Sequence, residues 1–303
     1  MEHAARRAKL VDRIGKVSVL VCGVFLIILT ISIGAFLLYK GSGTFTTFNH
    51  SIIEFVFSGA WDPTDSPTEF GGPTGAAVYI VGSLYTCLLG LAISLPFAIG
   101  AAVFITEISP KAGEVLFRPA VELFLGIPSV VYGWIGATVL VPFIRDYLHA
   151  PLGGYSVLAA SIVLAVMIFP TITTVAADAI RAVPKDYRVG AYGLGSTRWQ
   201  VIYRVVLPAA KTGILTGIIL GLARAFGEAL AVAMVIGKTP TFAGSVLEPT
   251  SSLTTAITAN MTNSAQGGEL NTALWTMALL LFIISMAFIL LIHVISGRGR
   301  SVK

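Results

Sequence analysis

Apolar residues in this chain come in long unbroken runs, separated by stretches rich in charged, hydroxyl, Gly and Pro residues. Six runs stand out, near 17–39, 77–105, 119–143, 156–177, 213–237 and 272–295. Each has about the 20 residues that an α-helix needs to cross a hydrocarbon core of roughly 30 Å. Inside that core a backbone must satisfy its own N–H and C=O groups, so such a run predicts a helix. A membrane β-barrel would alternate apolar and polar positions over short segments, a pattern absent from this sequence. The expected fold class is all-α: a polytopic membrane protein with six transmembrane helices. The first run follows a basic amino terminus, as a signal peptide would. It is longer than a signal core and no small-x-small cleavage pattern follows, so it is read as a helix of the mature chain.

Composition agrees, with 55% hydrophobic and only 12% charged residues. Charge adds orientation. Arg6, Arg7, Lys9, Arg13 and Lys16 precede the first run, and Lys111 and Arg118 follow the second. Arg181, Lys185, Arg188, Arg198, Arg204 and Lys211 lie between the fourth and fifth, and Arg298, Arg300 and Lys303 end the chain. With six alternating helices all of these share one side, and the other side holds Lys40, Arg145 and Lys238. The positive-inside rule then puts both termini in the cytoplasm. The net charge of +5 reflects this topology and calls for no nucleic-acid partner. Acids Glu54, Asp62, Asp65, Glu69, Asp146, Glu248 and Glu269 fall in the outer loops. Cys22 and Cys87 both lie within spans, where they read as small apolar residues, not as a disulfide or metal site.

The fifth run contains LARAFGEALAVAMVIGKT, residues 222–239. Its closing GKT does not make a phosphate-binding loop, because Val232 stands where the first glycine of G-x-x-x-x-G-K-[ST] belongs. Arg224 and Glu228, four residues apart, would share a helix face near the bilayer midplane. An arginine there costs about 2.5–3.5 kcal/mol on insertion scales, so it calls for a reason. One reading is a structural salt bridge that locks helix packing. The other, preferred, is a cation exposed to a water-filled anion path, held in place by Glu228. Gly213, Gly217, Gly221, Ala225, Ala229 and Ala233 form a small-residue stripe that lets another helix approach closely. The third run carries ELFLGIPSVVYG, with Glu122 towards its inner end, a bend expected at Pro128, and hydroxyls on Ser129 and Tyr132 that could support a path. Pro96, Pro142 and Pro170 offer further bends. The loop near 40–76, rich in Pro, Gly, Ser and Thr, is either a connector or an outer docking surface.

Between the fourth and fifth runs lies VPKDYRVGAYGLGSTRWQVIYRVVLPAA, residues 183–210. It predicts a short helix, a Gly-containing turn, a second amphipathic helix and a Leu-Pro entry to the fifth span. This loop resembles the E-A-A-x3-G-x9-I-x-L-P loop of ABC-importer permeases. Ala191, Gly195, Val205 and Leu207-Pro208 occupy its positions, while Val189 and Gly190 depart from the glutamate and first alanine. The stretches FVFSGAWDP, ELFLGIPSVVYG, AYGLGSTRWQVIYRVVLP and GLARAFGEALAVAMVIG narrow the resemblance to phosphate permease subunits of the PstC type.

That resemblance implies a type I importer fold, divided into 1–76, an amino-terminal segment, first helix and outer loop, and 77–303, a transmembrane domain with a coupling loop at 178–212. It implies Arg224 and Glu228 on the anion path, and Asp186, Tyr187, Ala191, Gly195 and Thr197 against the ATPases. The implied partners are a homologous PstA-type permease, two PstB-type ATPases, a PstS-type phosphate-binding protein and the lipid bilayer. The chain would bind no cofactor and no metal and be no enzyme, with ATP and Mg used by the ATPases. A permease for another oxyanion or polar nutrient is the alternative. A secondary transporter would show two related halves, and none is evident. A scaffold protein would need no midplane charge pair.

Overall fold

The computed structural model describes residues 2–64 and 71–298; Asp65, Glu69, Arg300 and Lys303 lie outside the described residues. Four helical segments are long and apolar enough to cross a membrane, Asp12–Thr46, Ala77–Ile108, Leu152–Arg181 and Glu269–Ile292. Two further spans are bent pairs: Pro110–Gly126 with Ser129–Leu148 at 92°, and Arg198–Ala209 with Lys211–Phe226 at 69°. All six runs are therefore helical; the third is broken within its length, and the fifth, whose entry bends at Ala210, is interrupted again after Phe226. Among the described residues there is no β-strand, only two isolated bridges, Trp61 with Thr74 and Gly237 with Thr250.

The fourth span forms the centre. Ile168, Ile172, Ala176 and Ile180 on it are fully buried, and the second and fifth spans pack along it. Small residues set that approach. A side chain at Gly90 would press on Ser161 and Leu164, and side chains at Gly213, Gly217 and Gly221 would press on Ala179, Val175 and Ile172. Lipid tails are as apolar as leucine, so close backbone approach supplies the contact that a hydrophobic effect supplies in water. The small-residue stripe thus works as expected up to Ala225, where the helix is about to end. The first span meets the sixth, with Gly34 against Phe282 and Gly41 against Thr276. Its other faces are exposed, as suits a lipid-facing helix.

Prolines sort into two kinds. Pro96 and Pro170 stay inside continuous helices, Pro142 sits in the first turn of Val141–Leu148, and only Pro128 marks a break. Ile127 and Pro128 are extended, with ψ of 127° and 140°.

At the end of the bundle expected to face outward, Glu269 is completely buried instead of loop-exposed. Its carboxylate accepts from His50 Nε2 at 2.6 Å and from the backbone N–H groups of Thr64 at 3.0 Å and Gly71 at 3.1 Å. One acid therefore ties the segment after the first span to the start of the sixth, over a cluster of Phe55, Tyr79, Leu253 and Met277.

Candidate functional site

The fifth span decides where Arg224 points. Its helix, Lys211–Phe226, ends one turn after Gly221, and a short helix, Leu230–Ala233, restarts beyond Gly227 and Glu228. Arg224 occupies the last turn, where a cation is favoured by the helix dipole. Glu228 lies past the helix end, and its Oε1 accepts from the Ala231 backbone N–H at 3.0 Å. That caps the restarted helix, satisfying a donor that helix starts leave open. The backbone carbonyl of Glu228 accepts from Thr254 Oγ1 at 2.9 Å.

The expected Arg224–Glu228 pair is therefore corrected: the two do not appear together among the ion pairs of the described residues. The i, i+4 register needs a continuous helix, and this one stops between them. Arg224 Nη1 instead donates to Thr171 Oγ1 on the fourth span at 2.8 Å. Arg224, Glu228 and Thr171 are all half-buried.

The half of the third span after its break packs against the restarted helix of the fifth. A side chain at Gly133 would collide with Ala231 and Met234, and one at Gly136 with Val163 and Val235. Tyr132 is buried, and its hydroxyl donates to the Phe124 carbonyl at 2.9 Å, filling an acceptor freed where the helix breaks at Pro128. Ser129 opens the outer half of the span and is half-buried. Glu122 is not brought to this group; it is exposed and pairs with Arg118 at 3.0 Å. The structure thus sets Arg224 just before the interruption of the fifth span, Glu228 within it and Tyr132 beside the break of the third, and leaves Glu122 exposed on the half of the third span before its break.

The loop between the fourth and fifth spans folds as expected. Lys185–Gly193 is a helix with Asp186 in its first turn. Gly195 has φ of 81°, a left-handed conformation that favours glycine. Thr197 caps the next helix reciprocally with Gln200. Ala191 packs inward on Val201 and its neighbours. Tyr187, Val189, Tyr192, Leu194 and Trp199 are exposed, Leu194 at 89%. The two departures, Val189 and Gly190, are both exposed and leave the loop's fold untouched.

Two arginines anchor the loop. Arg188 donates to Glu107 Oε1 at 2.6 and 3.1 Å and to the carbonyls of Val183 and Ile180 at 2.7 and 3.0 Å. Arg198 donates to the carbonyls of Glu107 and Ile108. The residues GKT are irregular backbone beginning at the Gly237–Thr250 bridge, with φ of 98° at Gly237 and 56° at Lys238. No helix follows them directly, as a phosphate-binding loop would require.

Residues 94–301 match the family described as "Binding-protein-dependent transport system inner membrane component". The chain belongs to that family. It is the membrane permease subunit of a binding-protein-dependent ABC importer. The "Probable ABC transporter permease protein YqgH" of Bacillus subtilis (strain 168) is 44% identical over 98% of this chain and 95% of its own length. The "Phosphate transport system permease protein PstC" of Pasteurella multocida (strain Pm70) is 35% identical over 91% of this chain and 90% of its own. Among solved structures, an amino acid ABC transporter superposes with a TM-score of 0.52 at 16% identity, over 73% of this chain and 92% of that one. The inward-facing methionine transporter MetNI gives 0.51 at 19%, over 72% and 93%. These two show the importer permease fold alone.

Within this permease, both breaks and the anchored loop lie in the family region, while the first span and most of the outer segment lie before it. Thr171 and the Arg188–Glu107 anchor escaped the sequence reading. A threonine directly after a mid-span proline, and a lone glutamate closing the second span, were the available signals.

Proposed function

We propose that the chain is the permease subunit of an ATP-driven phosphate importer and forms half of its translocation path. The reading rests on Arg224, a half-buried cation in the last turn before the fifth span is interrupted, with no ion-pair partner among the described residues. A cation so placed can compensate an oxyanion briefly, and weak holding favours release. The names of the PstC relatives from Pasteurella multocida and Haemophilus influenzae supply the word phosphate.

In this reading Arg224 is the path's cation and Glu228 shapes the break beside it. Ser129 and Tyr132 line the break of the third span, with Glu122 and Arg118 on the inner approach. A PstA-type sister permease would complete the path. Two PstB-type ATPases, using ATP and Mg, would grip Asp186, Tyr187, Ala191, Gly195 and Thr197, and alternating access would follow their motion. A PstS-type binding protein would dock on the outer segments 40–76 and 238–271. Residues 1–76 form the amino-terminal unit and 77–303 the transport domain, with coupling loop 178–212. Both termini are cytoplasmic.

The test is Arg224→Gln in the full complex in proteoliposomes, followed by uptake of radiolabelled inorganic phosphate. Uptake is expected to fall by about a hundredfold or more while the complex assembles normally. Normal uptake would remove Arg224 from the path. A second reading, another oxyanion or polar nutrient, is favoured by one observation: the 44% identical relative is named without a substrate. Competition of uptake by a series of oxyanions separates the two.

A further inference from the structure

The Arg224 guanidinium is held by a hydroxyl and not by a carboxylate. Its Nη1 donates to Thr171 Oγ1 across the interface of the fourth and fifth spans. The acid nearest in sequence, Glu228, commits its side chain to the Ala231 N–H. The hydroxyl of Tyr132 is committed to the Phe124 carbonyl. Among the described residues Thr171 is the one side chain that accepts a hydrogen bond from the guanidinium, and it fixes the guanidinium's direction.

We propose that Thr171 is a positioning residue of the path: a neutral acceptor that aims Arg224 without cancelling its charge. The proposal rests on the reading of Arg224 as the path's cation. A guanidinium has five N–H donors, so one bond to Thr171 leaves most of them for an oxyanion. A carboxylate in the same place would aim the group equally well. Its negative charge at contact distance would, however, offset the field that a passing anion feels, most strongly where water is scarce. It would also repel that anion directly. An untethered arginine, in contrast, has a long flexible stem and would spread its charge over many orientations.

The position of Thr171 suits the task. It follows Pro170, which lies inside the fourth span, next to the tightly packed Ile172 that meets Gly221 of the fifth. The tether therefore joins two helices already fixed against each other, and Thr174 Oγ1 donates to the Pro170 carbonyl at 2.8 Å.

Thr171→Asn and Thr171→Asp separate aim from charge, because the two side chains share a shape and an acceptor oxygen and differ by one charge. The full complex in proteoliposomes is assayed for uptake of radiolabelled inorganic phosphate, with Arg224→Gln alongside and the yield of assembled complex measured for each. Thr171→Asn is expected to keep about a third or more of the parental maximal rate, and Thr171→Asp to lose about tenfold or more at equal assembly. Equal rates in the two variants, or an equal loss in both, would overturn the inference, since a purely structural threonine would not distinguish charge. Normal uptake by Arg224→Gln would instead remove the path reading itself. Loss in Arg224→Gln with Thr171→Asp as active as Thr171→Asn would leave that reading standing and overturn the role of Thr171 alone.

Discussion

Arg188 and Arg224 each reach from one element to another, but they are satisfied in opposite ways. Arg188 spends its donors on the Glu107 carboxylate and two carbonyls, and both members of that pair are less than a fifth exposed. Its charge is compensated, and what it does is hold the loop between the fourth and fifth spans to the end of the second. Arg224 receives one neutral hydroxyl. A cation in mid-span costs about 2.5–3.5 kcal/mol, and one charge-assisted hydrogen bond of about 1.5–3 kcal/mol offsets part of that while leaving the charge itself uncancelled. A fully compensated arginine explains itself as structure. One left partly uncompensated in a membrane calls for a ligand.

The variants that press on this contrast differ in expected size. The largest effect is the loss of uptake in Arg224→Gln, with assembly intact, because the proposed function has the uncompensated cation meet the substrate. Next is Glu107→Gln, which makes Arg188 resemble Arg224 by removing its anionic partner. Stripping one partner from a part-buried pair should cost about 1–3 kcal/mol. It should appear as a lower melting temperature of the purified complex and weaker retention of the ATPases; unchanged melting would mean that the pair is idle. The smallest effect is expected from Glu228→Gln. Its amide oxygen can still accept from the Ala231 N–H, so uptake should fall by about threefold or less, in line with a retained cap. A loss as deep as that of Arg224→Gln would show that Glu228's charge itself takes part in transport.

How much of this the sequence carried depended on whether the cause was local. The six runs, the Pro128 break and the Gly195 turn are local, set by hydropathy, by a ring that cannot donate and by a left-handed φ. The break after Phe226 was not legible. No proline marks it, and alanine and leucine on both sides favour a helix; it is held by the packing of Ala231 on Gly133 and by Glu228 turning back as a cap. That one missed break misplaced Glu228 as the partner of Arg224. Thr171, 53 residues from Arg224, could be found only once the fourth and fifth spans were seen together. Glu269 misled in the same way. An acid next to glycines resembles a solvated loop, yet backbone N–H groups from a distant segment enclose it.

The central claim, a guanidinium beside a wet passage, is tested most directly by accessibility. Arg224→Cys is placed in a chain whose exposed Cys22 is replaced by Ser, the other cysteine, Cys87, being buried. The assembled complex is then treated with a small, charged, membrane-impermeant thiol reagent in the resting and the nucleotide-trapped states. Labelling at position 224 in at least one state, slowed by inorganic phosphate, is the predicted result. A thiol that stays unreactive in both states would place this position in a sealed apolar interface and contradict the account.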